Sequence, residues 1–256
     1  MNRIHACGLA LALCGAQAAV AADHVKDIQA DKFQYLKDRF STEAVSKSDV
    51  ETIAKADSGK VNFSKLVFTI VPHFIKWQSA TTPPDYKMML TDISIGGPFL
   101  NTLDEVWSNG IPTTQTFSLT YRGALFLATQ TVTLSARDAP QSFVIKHLKA
   151  FTPLAVADAG TGEFEWLYQM APHIQIMNFK DSYFHCTYGT AYPASKIQEK
   201  LKGNAQDLDC ESRNDNNIAT GHSTIAVLEY YGVSLTRSKT TASSTIEFNV
   251  EDVQID

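Results

Sequence analysis

After residue 22 the sequence has no apolar run approaching the roughly 20 residues needed to cross a bilayer as a helix. It also has no excess of positive charge, with 22 Lys+Arg against 27 Asp+Glu. That balance excludes the basic stripe expected of a nucleic-acid partner and leaves a modestly acidic, solvated surface. Cysteine is scarce, four in 256 residues, so a disulfide-dense scaffold is excluded. No Pro/Gly/Ser-rich linker divides the chain, and no internal repeat occurs. HExxH and His-x-His spacings are missing, so no zinc site is encoded locally. No GxSxG elbow occurs either, and Gly221-His222-Ser223 lacks its second glycine. Gly160-x-Gly162 lacks the third glycine and following helix of a dinucleotide loop. The acidic stretch Asp207-x-Asp209-x-Glu211 departs from a calcium loop, with Ser212 where glycine is needed and Ile218 where the bidentate glutamate belongs.

What is present begins with an export leader. Arg3 supplies the positive end, Ala6 to Gly15 a short apolar centre, and small residues offer cleavage after Ala21 or Ala22. Residues 1–22 are therefore expected to be a signal peptide and residues 23–256 a single mature domain in the periplasm or outside the cell. Removal of Arg3 takes the formal net charge one unit below −5. It also removes Cys7 and Cys14. The remaining pair, Cys186 and Cys210, is expected to be oxidised in that compartment. The bond would close a loop of about 25 residues and staple a polar excursion, residues 183–217, to the sheet it interrupts. Within the excursion, Pro193, the i,i+4 pair Ile197 and Leu201, and Gly203 predict a short helix.

Residues 23–59 are helical in pattern. Phe33, Leu36 and Phe40 share a face, and Ser48-Asp49-Val50-Glu51 has the form of a capping box. From residue 60 the period changes to that of strands. Gly96-Gly97-Pro98 breaks the run, and Leu100, Leu103 and Trp107 predict a short helix that Asn109-Gly110 ends. The clearest hairpin follows: Phe117, Leu119 and Tyr121 point one way, Arg122-Gly123 turns, and Thr129, Thr131 and Thr133 return opposite Val132 and Leu134. Further strands are expected near residues 142, 163 and 173, and two more after the second cysteine. In the last of these, Ile246, Phe248 and Val250 are out of phase with Val253 and Ile255, so a β-bulge at Glu251-Asp252 is expected.

The expected class is α+β: a β-dominated antiparallel sheet or sandwich, N-terminal helices packed on it, and one disulfide-stapled helical excursion. The expected role is non-catalytic recognition of a small molecule, glycan or protein, with no cofactor, no metal and no stable membrane span. Tyr188, Tyr192, His222 and Tyr230 are the candidate ligand-binding residues, because amphipathic side chains gather in sequence around the staple. Two other roles fit the pattern: a hydrolase whose groups converge from separate strands, and a β-rich protein that inserts into membranes. His185 is badly placed as a base for Cys186, since neighbours on a strand face opposite ways.

Overall fold

The computed structural model describes residues 25–77, 85–135, 140, 142–155 and 161–256. The leader, the Pro83-Pro84 loop and Gly160 lie outside the described residues. Three short helices come first: α1 (Val25–Ala30), α2 (Lys32–Arg39) and α3 (Lys47–Ala56). Ser46, not Ser48, caps α3, its hydroxyl accepting from the Asp49 amide at 3.2 Å. Twelve strands follow: β1 (Lys65–Trp77), β2 (Tyr86–Gly96), β3 (Phe99–Ser108), β4 (Ile111–Tyr121), β5 (Leu125–Thr133), β6 (Ser142–Phe151), β7 (Glu163–Pro172), β8 (Asp181–Pro193), β9 (Asn204–Arg213), β10 (Ala219–Leu228), β11 (Val233–Thr240) and β12 (Ser244–Ile255).

Each strand pairs antiparallel with its sequence neighbours, and β12 pairs with β1, so the sheet closes on itself. This corrects the expected α+β sheet or sandwich: the fold is a closed twelve-stranded antiparallel barrel with, among the described residues, only short helices. The correction turns on the pairing of Leu66 with Ile255 and of Phe68 with Val253. Closure removes the two exposed edges that an open sheet would have had to protect.

Three local expectations change with it. The segment holding Leu100, Leu103 and Trp107 is β3, and Asn109-Gly110 is its hairpin turn to β4. Both turn residues have positive φ (50° and 76°), as a type I′ turn requires. The helix expected at residues 193–203 is reduced to one 3₁₀ turn, Ala194–Lys196. The strand expected at residue 173 is a turn between β7 and β8, and its Ile174 and Ile176 project into solvent, 89% and 81% exposed.

The β4–β5 hairpin forms as its alternation indicates, with Arg122 and Gly123 at φ 49° and 72° in a second I′-type turn. The register of β12 on β1 skips Glu251, which is the expected bulge. It brings Val253 into the core with Phe248 and Val250, while Ile255 stays at the surface.

The interior holds two apolar cores. One gathers Leu36, Phe40 and Ile53 of the helices with Phe117, Leu119, Tyr121, Trp166, Leu208, Val227 and the two cysteines. The other gathers Leu66, Phe68, Ile70, Leu100, Leu228, Tyr231 and Leu235, joined by Ile197 and Leu201 from the β8–β9 connection. Strand β10 serves both, with Ile225 and Val227 in the first and Ala226 and Leu228 in the second. Strand β3 does likewise, through Leu103 and Leu100. Alternate side chains on one strand reach opposite faces, so such a strand is covered on both.

Candidate functional site

Residues on β2, β3 and β4 that face away from the helices line a cavity of about 240 Å³. Its apolar wall comes from Ile70, Met88, Leu90, Leu235 and Phe248, with Phe126 at its edge. Its polar wall comes from Asp92, Thr102, Asp104, Thr116 and Ser118, and from Lys239 on β11. The threonine-rich face of the β4–β5 hairpin is thus wet at Thr131 and Thr133 but turns into cavity wall at Thr116 and Ser118.

Strand geometry places the two aspartates together. Asp92 is opposite Thr102, and Leu90 is opposite Asp104, so Asp92 and Asp104 are diagonal neighbours on one face of the β2–β3 pair. Asp92 is fully buried. Its Oδ1 accepts from the Thr102 hydroxyl at 2.6 Å, and that hydroxyl lies 3.0 Å from Thr120 Oγ1. Its Oδ2 has no hydrogen-bond partner among the described residues, and neither has Asp104 Oδ1. An unmade hydrogen bond at a buried polar atom is costly, so two on one cavity wall ask for an explanation. Burial pushes the Asp92 carboxyl up to about 7, against the pull of the Thr102 hydrogen bond and with added repulsion from Asp104. Burial, then repulsion from Glu105, raises Asp104 to about 6.

The sign of this effect on stability follows. Between about pH 4 and pH 7 the folded state binds protons at these carboxyls that the unfolded state has already lost. Their contribution to stability therefore falls as pH rises through that window. Asp92→Asn, which keeps the shape but cannot ionise, should flatten the decline in denaturant midpoints measured across it. An unchanged profile would show that Asp92 does not titrate there.

The residues singled out in the sequence go elsewhere, and the fold does not bring them together. Tyr188 packs against the first core, and its hydroxyl accepts from the Ala155 amide at 2.9 Å. Tyr192 lies beside the second core and donates to Asp207 Oδ1 at 2.6 Å. Tyr230 is half exposed at the β10–β11 turn, its ring edge-on to Tyr231 and within reach of the Lys202 ammonium. His222 is on the exposed side of β10, with Nε2 3.2 Å from Glu211 Oε2. Hydrogen bonding from Arg213 holds Glu211 below the usual carboxylate range, and the nearby His222 and His185 act in the same direction. Ser223 follows His222 on the same strand and so faces the other way. Cys186 and Cys210 are directly opposite each other on β8 and β9, disulfide-bonded and buried. The bond joins two paired strands within the first core, where the sequence suggested a clasp on a helix.

Sequence reasoning missed Asp92 and Asp104, although one signal was present. In Met88-Met89-Leu90-Thr91-Asp92 the aspartate takes the same phase as Met88 and Leu90, which puts a carboxylate on the apolar side of a strand.

A further buried network fixes the barrel near this site. Arg122 Nε and Nη2 donate to Asp57 Oδ2 and Oδ1 at 2.5 and 2.9 Å, and Nη1 donates to the Gly232 carbonyl at 2.6 Å. The Tyr121 hydroxyl donates to Asp57 Oδ2 at 2.7 Å and accepts from the Leu154 amide. Ser234, a cavity residue, returns its amide and hydroxyl to the Arg122 carbonyl.

Among the described residues, no helix is long and apolar enough to cross a membrane, and no cluster of three or more His, Cys, Asp or Glu is arranged to hold a metal ion. No protein-family model matches the chain, and no curated protein sequence matches it. Among solved structures, the chain is similar to the crystal structure of a β-barrel-like protein of domain of unknown function DUF1849 from Brucella abortus. The identity is 9% and the TM-score 0.44, over 77% of this chain and 99% of that one.

Proposed function

We propose that the chain is an exported, single-domain binding protein that holds a small organic ligand in the cavity between β1–β4 and β11–β12. The observation that carries this is Asp92: a fully buried carboxylate with one oxygen fixed by Thr102 and the other unpartnered on the cavity wall. Ligand pockets combine mostly apolar walls with a few placed polar groups, which is the composition here. The cavity is smaller than the roughly 300–1,000 Å³ of drug-sized sites, so the ligand is small. Export is supported by the leader-like residues 1–22 and by the closed disulfide, which suits an oxidising periplasm or exterior. Tyr188, Tyr192, His222 and Tyr230 remain candidates for contacts on separate faces, not for one shared pocket.

The test is a thermal-shift screen of small polar-ended compounds against the wild type and against Thr116→Phe, which places a ring in the cavity. Compounds that raise the wild-type melting temperature should do so less in the variant, because only ligand bound to the folded state contributes. Equal shifts in both proteins, or none in the wild type, would remove the cavity from consideration.

One observation favours a second reading, hydrolysis. Two carboxyls with separately raised proton affinities in one cavity can divide acid and base roles. A bound compound that is chemically altered by the wild type but not by Asp104→Asn would establish it.

A further inference from the structure

We infer that the ligand is a small organic cation: an apolar body ending in an ammonium group held between Asp92 and Asp104. This rests on the cavity being a ligand site. The register of β2 on β3 places the two carboxylates as diagonal neighbours on one face, both residues line the cavity, and each has one oxygen with no hydrogen-bond partner among the described residues. An ammonium carries three donors and no acceptor, so one group can serve both oxygens. A carboxylate ligand has only acceptors to offer, and a carboxylate or a phosphate would add further negative charge to the pair. A neutral alcohol brings a single donor, which leaves one oxygen unserved.

The charge inventory of the wall points the same way. Besides the two aspartates, the one ionisable side chain among the described residues lining the cavity is Lys239, which is exposed on β11. Glu105, next to Asp104, is on the opposite face of β3, where it meets Lys32 at 2.7 Å. The forces on Asp92 are burial, the Thr102 hydrogen bond and the repulsion of Asp104, with no cation among them. Among the described residues neither carboxylate of the pair has a cationic partner, and a buried charge without a partner is among the least favourable arrangements in a protein. The rest of the wall, from Ile70, Met88, Leu90, Leu235 and Phe248, suits a short hydrocarbon body.

Binding should therefore expel protons. At about pH 6 to 7 the two carboxyls are partly protonated, and an arriving ammonium favours their ionised forms. Calorimetric titration at that pH would compare hexylammonium, hexanol and hexanoate, which share one body and differ in the end group. The protein is the full mature chain with its disulfide closed, in two buffers of different ionisation enthalpy. Hexylammonium should bind at least about tenfold more tightly than hexanol, the difference expected of a charge-assisted over a neutral hydrogen bond. Its heat should depend on the buffer, reporting proton release, and hexanol's should not. Asp104→Asn and Asp92→Asn should each remove the preference. The buffer dependence tests the same point in the wild type, should either variant fail to fold.

If hexanol matches hexylammonium, or hexanoate exceeds it, the cation assignment is overturned while the cavity stands as a ligand site. If hexylammonium binds equally well to Thr116→Phe, or either Asn variant keeps the preference, it binds elsewhere and the assignment is again wrong. If none of the three binds the wild type, the ligand site itself falls and the cation with it.

Discussion

Asp57→Ala should destabilise the fold by about 3–5 kcal/mol, the range for removing one member of a buried, hydrogen-bonded ion pair. The side chains of Arg122 and Asp57 are only 2% and 9% exposed. Losing the carboxylate would leave a buried guanidinium with two of its donors unmatched, the Tyr121 hydroxyl without its acceptor, and the Gly59 amide likewise. The damage would spread because this cluster connects distant parts of the chain. Asp57 follows α3, Arg122 is in the β4–β5 turn, Gly232 ends the β10–β11 turn and Ser234 is at the start of β11. Urea denaturation is the measurement. A change below about 1 kcal/mol, the level of an exposed surface pair, would refute the assigned role. In a cycle with Arg122→Ala, the double variant should lose less than the sum of the two single variants, since each single change strands the other partner. Acid should expose the same pair. Burial opposes the charge on Asp57, but hydrogen bonds from Arg122 and Tyr121 outweigh it and hold the carboxyl below the usual range. Its stabilisation is therefore present above about pH 4 and is lost as pH falls through the lower folded value. This is opposite in direction to the effect of Asp92.

Reducing the disulfide should lower stability by about 3–4 kcal/mol on the chain-entropy view of a loop of this length. The structure adds how the bond should respond. Both sulfurs belong to the first core, and their strands remain paired on either side, from Tyr183 with Arg213 to Pro193 with Asn204. A reductant needs the core to open before it can attack, so reduction of the native protein should be slow and should accelerate in denaturant. Once reduced, the β8–β9 ladder should persist, because its hydrogen bonds do not depend on the bond between the sulfurs. The checks are thermal melts with and without reductant, and thiol titration of residues 23–256. Two free thiols in denatured, unreduced protein would show that Cys186 and Cys210 are not joined.

The parts of the fold legible in sequence are those governed by neighbours in the chain. Phe117, Leu119 and Tyr121 alternate because one face of β4 meets the helices, and Arg122-Gly123 supplies the turn. The misreading of β3 has a physical cause: Phe99 through Leu103 are all buried, since this strand lies between two cores. A strand covered on both faces shows no alternation, and the spacing of Leu100, Leu103 and Trp107 then imitates a helix turn. The opposite error arose at residue 173, where His-Ile-Gln-Ile alternates without a core to face. Closure was invisible for another reason. Nothing in residues 65–77 reveals that their partners are residues 244–255, and pairing across that span leaves no local trace. The site depends on the same long-range pairing, since β11 and β12 complete a wall whose carboxylates come from β2 and β3.

That closure also sets an order of events during folding. The first strand can pair with β2 on one side as soon as both have been synthesised, and its other side must wait for the last residues of the chain. Until then Leu66, Phe68 and Ile70 flank an open edge, and a contact of such sequence separation is slow to form. The unfinished chain is therefore an adhesive intermediate, open to pairing with another copy of itself. Loss of the final dozen residues would make that condition permanent. A clipped product should accumulate as strand-paired oligomers or be degraded, even though every residue of the cavity before β12 is still present.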